Sequence, residues 1–252
     1  MFDKTKHNII LMTDYSHPLF LQRLLGVTKV ADSLRNEGFE VLVINHLHIF
    51  SIEEIIQILN SAVSDKTLYI GFNSIFYQGV DNAQIIDNAE NHWEKGGIKF
   101  SPKESGSFLP HGKKYNTVIK QLIRSISPNC KIVLGGPDAE DIDFNSDYDY
   151  VVQGLADISA VNLARHLAFG DALNNSRKSV FKFTVIDDPT AKGYDFVGTQ
   201  MKYHEHDIVL PNETLPIEIG RGCIFQCKFC SFPLNGKKKM TTSNTQMCCM
   251  QN

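Results

Sequence analysis

Apolar runs and amphipathic stretches alternate through the first 170 residues, and this alternation constrains the fold more than any other feature of the chain. The runs are "HNIILMT" (7–13), "FEVLVINHL" (39–47), "TLYIGFNSIF" (67–76), "KIVLGG" (131–136) and the shorter "DYVVQG" (149–154). Between them, Phe20, Leu24, Val27, Ala31 and Leu34 recur at helical spacing, with Gly38 placed as a C-cap. Ser51 stands three residues before Glu54 in a capping-box pattern, and Ile52, Ile55, Ile56, Leu59 and Val63 form one helical face. Asn116 is placed to cap a helix carrying Val118, Ile119, Leu122, Ile123 and Ile126, and a further helix is expected from about Asp157 to Phe169, ending at Gly170. Strands that are apolar throughout, separated by amphipathic helices, imply a parallel sheet covered on both faces. Right-handed crossovers then give an α/β doubly wound, Rossmann-like or flavodoxin-like domain, with any ligand beyond the carboxyl ends of its strands.

The rhythm breaks at residues 79–115, a polar stretch read as an insertion with a short helix around Ala83–Trp93. The α/β domain is expected over 1–170. A linker with small extended elements follows over 171–212, then a new unit opens over 213–240, and 241–252 reads as a flexible tail. Hydrophobic content of 42% and charged content of 21% are ordinary for a globular chain. A formal net charge of −3 gives no electrostatic case for nucleic acid or membrane as a partner. The apolar run near the N-terminus is too short for a signal-peptide core, so a cytoplasmic location is expected. In that compartment six cysteines point to metal ligands or structural thiols rather than disulfides.

Three of those cysteines, Cys223, Cys227 and Cys230, lie in "RGCIFQCKFC" with the spacing C-x3-C-x2-C. Three thiolates on one short loop can converge on one metal centre. A cubane iron–sulfur cluster normally takes four cysteines, so a loop supplying three leaves one iron open to a small-molecule ligand. The alternative is a structural zinc site, which needs a closed set of four ligands. Cys248 and Cys249 are adjacent and cannot easily chelate one ion as a C-x2-C knuckle does. Coincidence in a cysteine-containing turn is the third reading. Cys130, beside a strand, reads as a buried structural thiol.

The stretch "LPIEIGRGCIFQCKFCSFPLNGKK" resembles the cluster loop of the radical S-adenosylmethionine superfamily, with Phe229 at the aromatic position of C-x3-C-x-aromatic-C. The likeness extends backward to the subgroup in which a cobalamin-binding-like domain precedes the radical domain. "KIVLGGPDAE" and "YDYVVQGLADIS" look like the last two strand–turn units of that fold, and Ser74 falls near its strand-three serine. The resemblance implies that Cys223, Cys227 and Cys230 bind three irons of a [4Fe–4S] cluster. It implies that S-adenosylmethionine chelates the fourth iron, with the Phe229 backbone near its adenine. The reduced cluster would then cleave that cofactor to a 5′-deoxyadenosyl radical, with an electron donor such as a flavodoxin or ferredoxin as partner.

The resemblance departs from the pattern in two places. Cobalamin-dependent members that use a lower histidine ligand carry D-x-H-x-x-G after the first strand, whereas this chain has Asp14-Tyr-Ser-His17-Pro. His17, Ser74, Gly135 and Gly136 therefore stand as candidate contacts for cobalamin or a nucleotide, with the glycine pair admitting close backbone approach. The remainder after the cluster loop, "SFPLNGKKKMTTSNTQMCCMQN", has almost no apolar periodicity. The expectation is the first strand and cluster loop of an incomplete (β/α) barrel, inactive alone if truncated. Two other functions are weighed: a standalone cobalamin- or nucleotide-binding module with a vestigial cluster loop, and a zinc-stabilised interaction protein.

Overall fold

The computed structural model describes residues 6–13, 22–73, 113–136, 148–178, 183–187, 202–217, 220–221 and 241–242. In chain order the strands and α-helices are β1 (Asn8–Met12), α1 (Leu25–Asn36), β2 (Glu40–Ile44), α2 (Ile52–Ala62), β3 (Thr67–Asn73), α3 (Lys113–Ile126), β4 (Lys131–Gly136), β5 (Tyr150–Gln153), α4 (Ser159–Phe169), β6 (Ser176–Lys178), β7 (Thr184–Ile186), β8 (Gly220–Arg221) and β9 (Thr241–Thr242). Seven strands form one sheet in the order β2-β1-β3-β4-β5-β7-β6. Every neighbouring pair is parallel except β6 with β7. This is the doubly wound α/β architecture that the apolar runs imply.

The strands are apolar throughout because both faces are covered. In β1, Ile9 and Leu11 point into the core beneath α1 and α4, while Ile10 and Met12 point into the core beneath α2 and α3. Each fully buried aliphatic side chain of this kind contributes about 1.5–3 kcal/mol, so the alternation inside one run supports two helical layers at once. Ser51 and Glu54 close the expected capping box: the Glu54 N–H donates to Ser51 Oγ at 3.2 Å, and the Ser51 N–H donates to Glu54 Oε2 at 2.8 Å. Gly170 ends α4 in the left-handed region, with φ 77.

Several boundaries differ from expectation. The first helix begins at Leu25, Phe20 lies outside the described residues, and the helix entry is held from elsewhere: the Leu24 N–H donates to Asn45 Oδ1 at 3.0 Å. The second strand stops at Ile44, because Leu47–Ile49 turns as a 3-10 helix. Asn116 lies inside α3, which starts at Lys113, so 113–115 are helical and the rest of the expected insertion lies outside the described residues. The final helix starts at Ser159 rather than Asp157. Beyond residue 170 the chain adds β7 in parallel to β5 and turns β6 antiparallel along it, so part of the expected linker belongs to the sheet.

Open sheet edges invite pairing with other chains, and both edges here are managed. Strand β6 is three exposed residues long, Ser-Arg-Lys. Strand β2 is packed by the 3-10 turn at Glu205–Asp207, which belongs to a strap over residues 202–217. Downstream of the strap, β8 and β9 pair antiparallel, Gly220 with Thr242 and Arg221 with Thr241. That pairing joins the two ends of the stretch 222–240, which carries the three cysteines.

Candidate functional site

The carboxyl ends of β1, β3, β4 and β5 open into a cavity of about 290 Å³, roofed by α1 and the start of α4. Its floor is built by omission of side chains. Gly71 lies in the middle of β3, Gly135 and Gly136 end β4, and Gly154 follows β5. Glycine inside a strand costs roughly 0.5–1 kcal/mol relative to alanine, so it calls for a reason. At Gly71 a Cβ would come within 2.9 Å of Leu11 Cδ2. At Gly135 a Cβ would meet nothing nearer than the Phe72 and Val152 carbonyl oxygens at 3.9 Å, so protein crowding does not demand glycine there. The missing side chain leaves open space in the cavity instead. Gly136 and Gly154 adopt φ 135 and φ 80, values that L side chains rarely take.

The helical roof is equally small, with Gly26 from α1 and Ala156 and Ala160 at the entry to α4. Among the described residues, none that lines the cavity is charged. The Tyr69 hydroxyl donates to the Ala160 carbonyl oxygen at 3.3 Å, and burial pushes its pKa up, so the phenol stays neutral. The described walls of the cavity are therefore apolar and electrically neutral. They suit a flat uncharged group that reaches in from the carboxyl edge, and the cavity is at the small end of usual ligand pockets. A phosphate or carboxylate would find no countercharge on the described lining side chains.

Of the residues singled out from sequence, Gly135 and Gly136 line this cavity. His17, Ser74, Cys223, Cys227, Phe229 and Cys230 lie outside the described residues. Thr13 and Asn73, which precede the stretches holding His17 and Ser74, sit at the carboxyl edge of the sheet. Among the described residues, no group of three or more His, Cys, Asp or Glu side chains could hold a metal ion. Cys130 is a free, buried thiol whose pKa burial pushes up to about 12, which marks it as structural rather than reactive. No helix among the described residues is long and apolar enough to cross a membrane. Sequence reasoning missed Gly71, Gly154 and the α4 alanines. The signal available for Gly71 was a glycine interrupting an otherwise apolar strand.

No protein-family model matches the chain, and no curated protein matches it in sequence. Solved structures do match it in fold. The radical S-adenosylmethionine methyltransferase TsrM from Kitasatospora setae, with tryptophan substrate and the analogue aza-SAM bound, superposes with a TM-score of 0.61 at 13% identity, over 98% of this chain and 45% of that one. The same enzyme with cobalamin and a [4Fe–4S] cluster bound gives 0.59 at 12% identity, over 98% and 46%. The cobalamin-dependent S-adenosylmethionine radical enzyme OxsB, with aqua-cobalamin bound, gives 0.58 at 17% identity, over 97% and 31%. At these identities the likeness is one of fold. The chain spans less than half the length of each of these proteins.

Proposed function

We propose that this chain carries the cobalamin-type α/β domain and the opening cluster loop of a radical S-adenosylmethionine enzyme. The observation that carries the reading is a pairing of two features in one chain. A glycine-floored, neutral cleft sits at the carboxyl edge of a parallel sheet, and the same chain then runs through β8 into a stretch with C-x3-C-x2-C spacing. The solved enzymes of similar fold bind cobalamin, a [4Fe–4S] cluster or an S-adenosylmethionine analogue, which supports the assignment of both cofactor classes.

In this reading Cys223, Cys227 and Cys230 hold the cluster. The donor set fits: three thiolates on one loop satisfy three irons and leave the fourth for the amino and carboxylate groups of S-adenosylmethionine. When bound, the cluster supplies the electron for cleavage of that cofactor's carbon–sulfur bond. The β8–β9 ladder draws together the two ends of the cysteine stretch, and Phe229 contributes its backbone near the adenine. Gly71, Gly135 and Gly136 give a flat, uncharged portion of a cobalamin room beside the strand backbones, while Ala156 and Ala160 close over it.

Hydroxocobalamin titration of the purified chain tests the cleft. A spectral change that saturates, and that Gly135→Leu weakens by at least about tenfold, is the expected result. Equal binding by wild type and Gly135→Leu would remove the cleft from the proposal. Cluster assembly is tested separately, by anaerobic loading with iron and sulfide.

A further inference from the structure

The strap over β2 is held in an unusual way. Its apolar side chains mostly face solvent: Val209, Leu215 and Ile217 are 45%, 40% and 78% exposed, and Ile208 packs against the core. Its described attachments are mostly polar, and two carboxylates, Asp207 and Glu213, make the closest ion pairs among them. Near its start, Asp207 Oδ1 pairs with Arg35 Nη2 at 2.6 Å, and the same nitrogen donates to the Val41 carbonyl oxygen of β2 at 2.8 Å. Near its end, Glu213 is enclosed. Its Oε1 lies 3.0 Å from Arg23 Nε and 2.9 Å from His46 Nε2, and its Oε2 accepts from Arg23 Nη2 at 3.1 Å and from the Leu210 N–H at 2.9 Å. The side chains of Arg23 and Glu213 are both 0% exposed.

These two points span the length of β2. Glu40 and Val41 begin the strand, while Asn45 and His46 follow its end. The strap is pinned at both, and Arg23 Nη2 also donates to the Ile208 carbonyl oxygen at 2.9 Å, so the chain meets the carboxyl-edge anchor from the residue after Asp207 onward. There the Arg23 N–H donates to the Thr214 carbonyl oxygen at 3.1 Å and Gln22 bridges Thr214. Six residues later the chain enters β8 and the cysteine stretch.

We infer that Glu213 is the positioning residue of an electrostatic latch: paired with Arg23 and His46, it fixes to the sheet edge the strap from which the chain runs on towards β8. The strap is attached by buried charge rather than apolar area, so it can come free as a unit while the sheet stays folded. A buried ion pair has this property. Removing one partner leaves the other charge desolvated and uncompensated, and the element that carried the lost partner detaches. The role assigned to the cysteine stretch rests on the function proposed above, whereas the latch itself does not.

Hydrogen exchange on the full chain, without iron, tests the latch through the amides of 208–214 and those of β1, β3 and β4. Glu213→Gln keeps the shape and removes the charge. It should raise strap opening by about a hundredfold or more and leave the three strands within about threefold of wild type. His46→Gln keeps the Arg23–Glu213 pair and should open the same amides by about tenfold or less. Unchanged strap exchange in Glu213→Gln would overturn the inference, as would equal loss of protection in strap and strands in both variants. If Glu213→Gln unfolds globally but His46→Gln opens the strap alone, the latch stands. Failure of the cluster reading shows separately, as wild-type chain that takes up no iron while its strap remains protected.

Discussion

The cleft and the strap anchor lie at the same edge of one sheet and are built on opposite principles. The cleft is made by leaving side chains out: its floor is Gly71, Gly135 and Gly136, and no described residue that lines it is charged. The anchor is made by filling space with a buried ion pair, Arg23 with Glu213, and with His46 beside it, all three excluded from solvent. A neutral hollow accepts a new group at little cost, because no paired charge has to be broken. A buried ion pair tolerates no such intrusion. The comparison teaches that the two regions should respond to substitution in opposite ways, with ligand binding sensitive in one and stability in the other.

The largest effect is expected at the anchor. Glu213→Ala leaves the Arg23 guanidinium buried without its carboxylate and should lower unfolding free energy by about 3–5 kcal/mol in urea melts. Replacing both partners with apolar groups, as in Arg23→Met with Glu213→Leu, should recover most of that loss. A double variant as unstable as the single one would break the distinction, because packing rather than charge would then hold the strap. Next in size is the cleft. Gly135→Leu should weaken hydroxocobalamin binding by at least about tenfold while changing stability by less than about 1.5 kcal/mol.

Acid should separate the regions further. The Glu213 carboxyl is held below its ordinary 4.5: burial works to raise it, but hydrogen bonds from His46, the Leu210 N–H and Arg23 outweigh that, with Tyr203 also facing it. A depressed carboxyl contributes stability that is complete above its unfolded value and is lost as pH falls through the folded value. Strap exchange in the wild type should therefore stay flat down to about pH 5 and rise below it, and in Glu213→Gln this rise should be smaller, with Asp207 left as the strap's acid-sensitive anchor. The smallest effect is Gly135→Ala. Its Cβ would meet only ordinary contacts, so it should stabilise the fold by about 0.4–1 kcal/mol, read as a raised melting temperature.

The sequence made the sheet legible because its strands are buried on both faces. "NIILM" and "KIVL" can be little else once helices flank them, and the Ser51–Glu54 box is a local signal written within four residues. What it concealed depends on distant parts of the chain. The start of α1 is capped by Asn45 from the end of another strand, so no residue near Phe20 marks it. The anchor joins Arg23 to Glu213, 190 residues apart, and neither stands out from its neighbours. In the cleft, Gly135 and Gly136 were visible as a pair, whereas Gly71 acquires meaning only when β3 is seen to lie beneath α1 and α4. The cysteine spacing needs no fold to be read, and its structural setting here is the β8–β9 pairing at its base.

The central claim, the proposed open iron–sulfur site on the cysteine stretch, has one direct measurement. Purified chain is loaded anaerobically with iron and sulfide, reduced, and examined by electron paramagnetic resonance with and without S-adenosylmethionine. The account predicts about four irons and about four sulfides per chain, a cluster signal that S-adenosylmethionine shifts, and loss of both in Cys223→Ala, Cys227→Ala and Cys230→Ala. A chain that takes up no iron and holds one zinc, or whose cluster survives all three substitutions, would contradict it.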